Sequence, residues 1–257
     1  MSKLKRNGAA GKINLMRTLF NFILFVFPFW AGSLWAQVPI QNEVRQIVMF
    51  SFAPGKSAEA IDLFRNQAIP LYDKNSAMLS FRGFREVESP IPLDLMVISA
   101  FRGMAGMDHS NAELSADAKA AGSSLGSLYG NIAALSTNHT DQFVEMIVPL
   151  GTGDASSRNL SAFIWYRIAP GHSTEFERLL ETSIVPWETD AKIPSSSGRF
   201  LVSDGWHYLR ILGFSSLGDY QHYWARVRLQ AGFEQMEKLM TRRREIITAN
   251  LNEFSVR

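Results

Sequence analysis

The residue types that hold and transform small molecules are concentrated in the second part of the chain. Tyr166, Trp187 and Tyr223 offer apolar rings with polar tips. Arg210 stands in the stretch Trp206–Phe214 (WHYLRILGF), flanked by aliphatic residues. A mid-strand guanidinium in such company must be paired or must face a polar cavity. Arg210, Tyr166, Trp187 and Tyr223 therefore form a candidate ligand-binding set, with Arg210 as a clamp for an anionic group such as a carboxylate. His207, Tyr208 and His222 form a candidate acid–base set. The alternative is an aromatic core in which Arg210 reaches the rim and the histidines are solvated or bonded to backbone.

His222 has a partner. His109 and His222 lie 113 residues apart, as do Phe101 and Phe214. Ala53-Pro54-Gly55-Lys56-Ser57 returns as Ala169-Pro170-Gly171-His172-Ser173 at an offset of 116, with Pro70 and Pro186 in step. Phe143 matches Phe254 at an offset of 111. Such self-similarity predicts one structural unit used twice. The copies are unequal: Asp94 stands opposite His207, and Val97 opposite Arg210. That contrast predicts a pocket in the second copy at a place the first copy has filled.

Each copy reads as strand, helix, strand, strand, helix, strand. In the first, Arg45–Phe52, Phe81–Glu88, Leu93–Arg102 and Gln142–Val148 carry the β-branched and aromatic runs of strands. Ser57 is placed to cap a helix with Ala60, Ile61, Phe64 and Ala68 at helical spacing. Residues 108–137 read as helix with a glycine-rich interruption, where Gly122, Gly126 and Gly130 suggest close helix packing. In the second, strands are expected at Leu160–Ile168, Gly198–Ser203, Trp206–Phe214 and Asn252–Val256, and a broken helix over 217–250. Arg242-Arg243-Arg244 reads as a solvated face of that helix. A βαββαβ unit is ferredoxin-like. Strand residues on both faces are apolar, so two such sheets are expected to cover each other as an intrachain α/β barrel. The expected fold class is α+β, with a first unit at 37–148, a linker at 149–159 and a second unit at 160–257.

Residues 1–36 are set apart. Lys3, Lys5, Arg6, Lys12 and Arg17 precede an apolar run over 19–30, and Ala31-Gly32-Ser33-Leu34-Trp35-Ala36 supplies small residues for cleavage. This is a signal-peptide pattern, too short in its apolar run for the roughly 20 residues of a membrane span. It implies a periplasmic or secreted protein with no stable membrane span after cleavage; a retained anchor is the other reading. Removing its five basic residues from 26 leaves 21 against 24 acidic ones, a net of −3. No clustered basic footprint for nucleic acid remains. With no cysteine, disulfides, thiol catalysis and cysteine-ligated metals are excluded. Gly-x-Ser-x-Gly, a phosphate-binding glycine loop and His-Glu-x-x-His are also absent.

Tyr166-Arg167-Ile168-Ala169-Pro170-Gly171 and Ser215-Ser216-Leu217-Gly218-Asp219-Tyr220 resemble the dimeric α/β-barrel superfamily, and within it NIPSNAP-like proteins. The resemblance runs once per copy over nearly all of residues 37–257. It implies a ferredoxin-like barrel in a superfamily that includes cofactor-free monooxygenases, cyclases, haem-dependent enzymes and members without assigned activity. Tyr220-Gln221-His222-Tyr223-Trp224 departs from the Tyr-x-x-His-Pro-x-x-His of cyclase-like members. The expected function is binding of a small apolar or aromatic ligand without metal or cofactor. The alternatives are cofactor-independent monooxygenase- or cyclase-like work, a non-catalytic envelope binding or assembly module, and haem held by His222 or His109. A homo-oligomer is compatible with all of them. The intact mass of protein recovered from the envelope should correspond to a chain starting at Gln37; a full-length mass would show that the segment is kept.

Overall fold

The computed structural model describes residues 42–256, so the signal-peptide reading of residues 1–36 lies outside the described residues. The chain begins with strand β1 (Glu43–Phe52) and helix α1 (Ser57–Leu63). A π-helical turn, Phe64–Ala68, leads into α2 (Ile69–Tyr72). Strands β2 (Met78–Glu88) and β3 (Leu95–Arg102), helices α3 (Gly103–Ala120) and α4 (Leu125–Leu135), and strand β4 (Ser136–Met146) follow. After two short 3-10 turns the order returns. It runs β5 (Leu160–Ile168), α5 (Ser173–Leu179), a π turn at Leu180–Ile184, α6 (Val185–Asp190), β6 (Ser195–Val202), β7 (Tyr208–Phe214), α7 (Leu217–Val227), α8 (Ala231–Leu239) and β8 (Met240–Val256).

The π turns have a shared cause. Pro70 and Pro186 stand in the first turn of α2 and α6. A proline lacks the N–H that the preceding helix would use and its ring crowds the carbonyl one turn back, so the helix opens locally. The Ala-Pro-Gly turns take their shape from Gly55 and Gly171, with φ of +77° and +81°.

The eight strands form one closed antiparallel barrel in the order β1-β3-β2-β8-β5-β7-β6-β4. Two four-stranded sheets meet at both edges, β2 on β8 and β4 on β6. The two sheets expected to cover each other are thus opposite walls of a single barrel. Its interior is apolar, with Ile47, Met96, Phe84, Phe163, Trp165 and Ile246 in one cluster. Each sheet's outer face carries its own helices and its own core, around Phe64, Phe81 and Phe254 in the first half and Phe176, Tyr166 and Trp224 in the second.

Several expectations are corrected. The helix expected over 217–250 ends at Leu239, and Met240–Val256 is a single long strand. Thr241, Ile246, Ile247 and Thr248 favour the pleated conformation, which outweighs the helical reading of the arginine run. Consecutive arginines therefore face opposite ways: Arg243 lies over Trp224 on the helix side, and Arg244 over Trp165 on the barrel side. Register also moves the repeat. Gln46 pairs with Phe143 and Ala162 with Ile247, so Ile247 rather than Phe254 corresponds to Phe143. Ser57 is the first helical residue of α1 rather than its cap. The glycines of α3–α4 are not packing contacts; a side chain at Gly130 would meet nothing.

Two glycine substitutions should therefore move stability in opposite directions. A Cβ on Gly83 would run into buried Phe254, so Gly83→Ala should cost about 1–3 kcal/mol by overpacking. Gly130→Ala, in the exposed middle of α4, should gain ~0.5–1 kcal/mol. Urea denaturation of both variants checks the pair.

Candidate functional site

The sheet faces under the helices differ between the halves. In the second, β7 delivers Arg210 to the helix side, where only 1 % of it is exposed. The carboxylate it holds belongs to Glu188 of α6, which is fully buried. Glu188 Oε2 accepts from Arg210 Nη2 and from the Ser195 hydroxyl at 2.7 Å. Its Oε1 accepts from the Tyr223 hydroxyl at 2.8 Å. Burial would lower the Arg210 pKa, but the Glu188 carboxylate outweighs it and holds the guanidinium above its ordinary value. Burial, reinforced by Glu188, pushes the Tyr223 hydroxyl well up, and burial raises Tyr166 to about 12. Both tyrosines are neutral, and Tyr223 is a donor to Glu188.

Arg210, Tyr166 and Tyr223 are thus brought together, with the Trp187 ring tilted against Tyr223 at 5.4 Å. The anion that Arg210 was expected to take from a ligand is supplied by the protein itself. Glu188 is not among the residues expected at this site from the sequence. Its signal was the offset of 116, which sets Glu188 opposite Tyr72, together with Val97 opposite Arg210. Two exchanged residues on facing elements are one exchanged pair.

The acid–base set is not brought together. His207 is exposed, and its Nδ1 accepts the Ile168 N–H at 3.1 Å. Asp94 does the same in the first half, accepting the Phe52 N–H at 2.8 Å. Each side chain caps the last residue of the neighbouring strand, β1 or β5. The Tyr208 hydroxyl donates to Glu177 at 2.5 Å, and Arg199 pairs with the same carboxylate. His222 lies at the other end of β7, roughly 20 Å of strand away. There it lines a cleft of 290 Å³ with Trp187, Tyr223, Phe214, Arg158, Lys192, Asp219 and Arg226. Among the described residues no group of His, Asp or Glu could hold a metal.

The first half is open where the second is filled. Between its sheet and its helices lies a pocket of 290 Å³. Val48, Phe50, Phe64, Phe81, Val97 and Ile132 form its apolar wall. Of its walls, Val97 stands where the second half has Arg210, whose pairing with Glu188 occupies that place. Polar groups enter at two places. The Tyr72 and Tyr129 hydroxyls meet at 3.2 Å, and burial raises the pKa of both. At the rim, Asp141 accepts from Gln46 Nε2 at 2.9 Å and stands 3.6 Å from His139 Nε2. The His139 ring stacks on Phe50 at 6.1 Å. An apolar cavity with a few converging polar groups suits a small aromatic molecule. The expectation of a pocket in the second copy at the place of Val97 is thus reversed.

Breaking the buried pair should be costly. Glu188→Ala, which strands Arg210 without a counter-charge, should lower stability by about 3–5 kcal/mol. Replacing the pair by its first-half counterparts, Glu188→Tyr with Arg210→Val, should recover much of that loss in chemical denaturation.

No family model matches the chain, and no curated protein matches it either. Solved structures do match. A candidate monooxygenase from Lactobacillus acidophilus NCFM superposes with a TM-score of 0.59 at 10% identity, over 84% of this chain and 96% of that one. An anthrone oxidase-like protein gives 0.54 at 9%, over 82% and 92%. A mutant chlorite dismutase from Candidatus Nitrospira defluvii, in complex with cyanide, gives 0.54 at 10%, over 82% and 91%. At such identities the likeness is one of fold. The chain has the mixed α+β architecture of the ferredoxin-like dimeric α/β-barrel proteins, with an eight-stranded antiparallel barrel.

Proposed function

We propose that this is an exported, NIPSNAP-like protein built from two tandem copies of one α/β unit, and that it binds a small apolar or aromatic molecule. The observation that carries the binding reading is the first-half pocket, walled by Phe50, Phe64, Phe81 and Val97 and tipped by the tyrosine and His139–Asp141 pairs. A planar ligand would stack on Phe50 and His139 and direct a hydroxyl or carbonyl towards Tyr72 and Tyr129. The cleft at Trp187, His222 and Tyr223 is the second place for a ligand, and its Arg158, Lys192 and Arg226 favour an anionic one.

A second reading is cofactor-independent oxygenation. It draws on the neighbours described as a candidate monooxygenase and an anthrone oxidase-like protein, and on a histidine beside a carboxylate at the pocket rim. In it, His139 takes a proton from the bound aromatic and Asp141 holds the imidazolium that results. Consumption of oxygen by protein and ligand together separates this reading from binding alone. The haem alternative fares less well against the residues. His109 points to solvent, with 67% of its side chain exposed, and pairs with Glu113 at 3.3 Å. His222 faces a cleft ringed by Arg158, Lys192, Arg226 and Asp219. The same cleft also carries Trp187, Phe214 and Tyr223, so of the two imidazoles His222 is the better placed for a macrocycle. A non-catalytic envelope module, or a homo-oligomer, needs nothing beyond the fold.

Filling the pocket tests the binding reading. Val97→Phe should weaken binding of 2-naphthol about tenfold or more, the scale set by a misfitting group in an apolar pocket. Trp187→Ala should leave it unchanged. The reverse pattern in a fluorescence titration would move the site to the second half.

A further inference from the structure

Arg244 of β8 lies beside its cross-strand partner Trp165 on the barrel side of the sheet. Its guanidinium is 4.4 Å from the Trp165 ring centre and 5.0 Å from that of Trp206. The two aromatics wall it in, yet its Nε and Nη2 are sealed from solvent and have no hydrogen-bond partner among the described residues. In arginine these two N–H groups form one edge of the planar fork and match the two oxygens of a carboxylate. Arg178 uses that same edge on Glu175, at 2.8 and 2.6 Å. A shielded charged edge with nothing to donate to is costly. Burial lowers the Arg244 pKa to about 10; Asp204 opposes that shift and Arg242 adds to it.

The surroundings add positive charge. Exposed Arg242 lies 5.2 Å from the Trp206 ring centre, and Arg167 lies 5.8 Å from it. Arg167 is already engaged, donating to the Gly205 and Asp204 carbonyls at 2.7 and 3.3 Å. The edge of Arg244 is not. Nor does the barrel itself demand this cluster. Register sets Met49 opposite Thr140 in the first half as it sets Trp165 opposite Arg244 in the second. Leu93 stands where Trp206 does. Three residues of one half are thus exchanged together for two indoles and a guanidinium.

We propose that this end of the barrel is an oxyanion site, in which the Nε–Nη2 edge of Arg244 takes the carboxylate of a small organic acid, with Arg242 as second cation and Trp165 and Trp206 as walls. The site is separate from the pocket under the first-half helices, so it stands or falls independently of the function proposed above.

Titration with acetate, with chloride holding the ionic strength constant, tests it through tryptophan fluorescence and the thermal midpoint. A saturable fluorescence change and a rise in midpoint are expected. Arg244→Gln should weaken the response about tenfold or more, the value of a charge-assisted pair. Arg244→Lys, which keeps the charge but loses the fork, should fall between and guards against misfolding of the first variant. A response no different from that of chloride, or one unchanged in both variants, would overturn the proposal and leave Arg244 a cation stacked on indoles.

Discussion

Closure of the barrel at two seams constrains everything else in this molecule. A four-stranded sheet alone would present two open edges. Here β2 is paired to β8 and β4 to β6, so none of the described strands is left at an edge. Closure also fills the interior. Phe84 meets Phe163 edge to face at 5.1 Å, and the Trp165 indole donates to Gln142 at 2.8 Å across the barrel. A ligand of any size is thereby excluded from the middle of the barrel.

Those two layers are built alike and finished differently. In the second, a residue pair that would strand a charge if either member were alone is satisfied within the protein, with Tyr223 and Ser195 completing the coordination of Glu188. Burying such a pair is seldom a source of net stability compared with apolar packing. Its effect here is to occupy space with bonded groups. The first layer has Val97 in place of Arg210, and a pocket remains beside it. Around Arg210 the second half is filled, and around Val97 the first half keeps a pocket.

The architecture was legible because it is written twice in apolar pattern and turn chemistry. Ala-Pro-Gly with a glycine at positive φ, proline at matched positions and alternating strands are local signals. The strand at Met240–Asn250 was hidden because charged residues at 242–245 break the period on which a strand reading rests, while barrel register supplies their partners from far away in the chain. Arg210 was legible as an anomaly, but its partner was not: Glu188 sits in an unremarkable stretch, Trp-Glu-Thr-Asp, and only the packing of α6 on β7 makes it a counter-ion. His139 and Asp141 lie before the strand that the sequence predicts from Gln142. Their meeting with Gln46, Phe50 and the tyrosines depends on β1–β4 pairing and the position of α4. Site chemistry of this kind is a property of register, which sequence period does not fix.

The central claim is that the two halves share one frame and that the first half is the receptive one. Locating bound 2-naphthol by difference density in soaked crystals tests it directly. The account predicts density against Phe50 and Val97, within reach of Tyr72 and Tyr129, with the Arg210–Glu188 pair undisturbed. Density beside Arg210 with Glu188 displaced, and an empty first-half pocket, would contradict it.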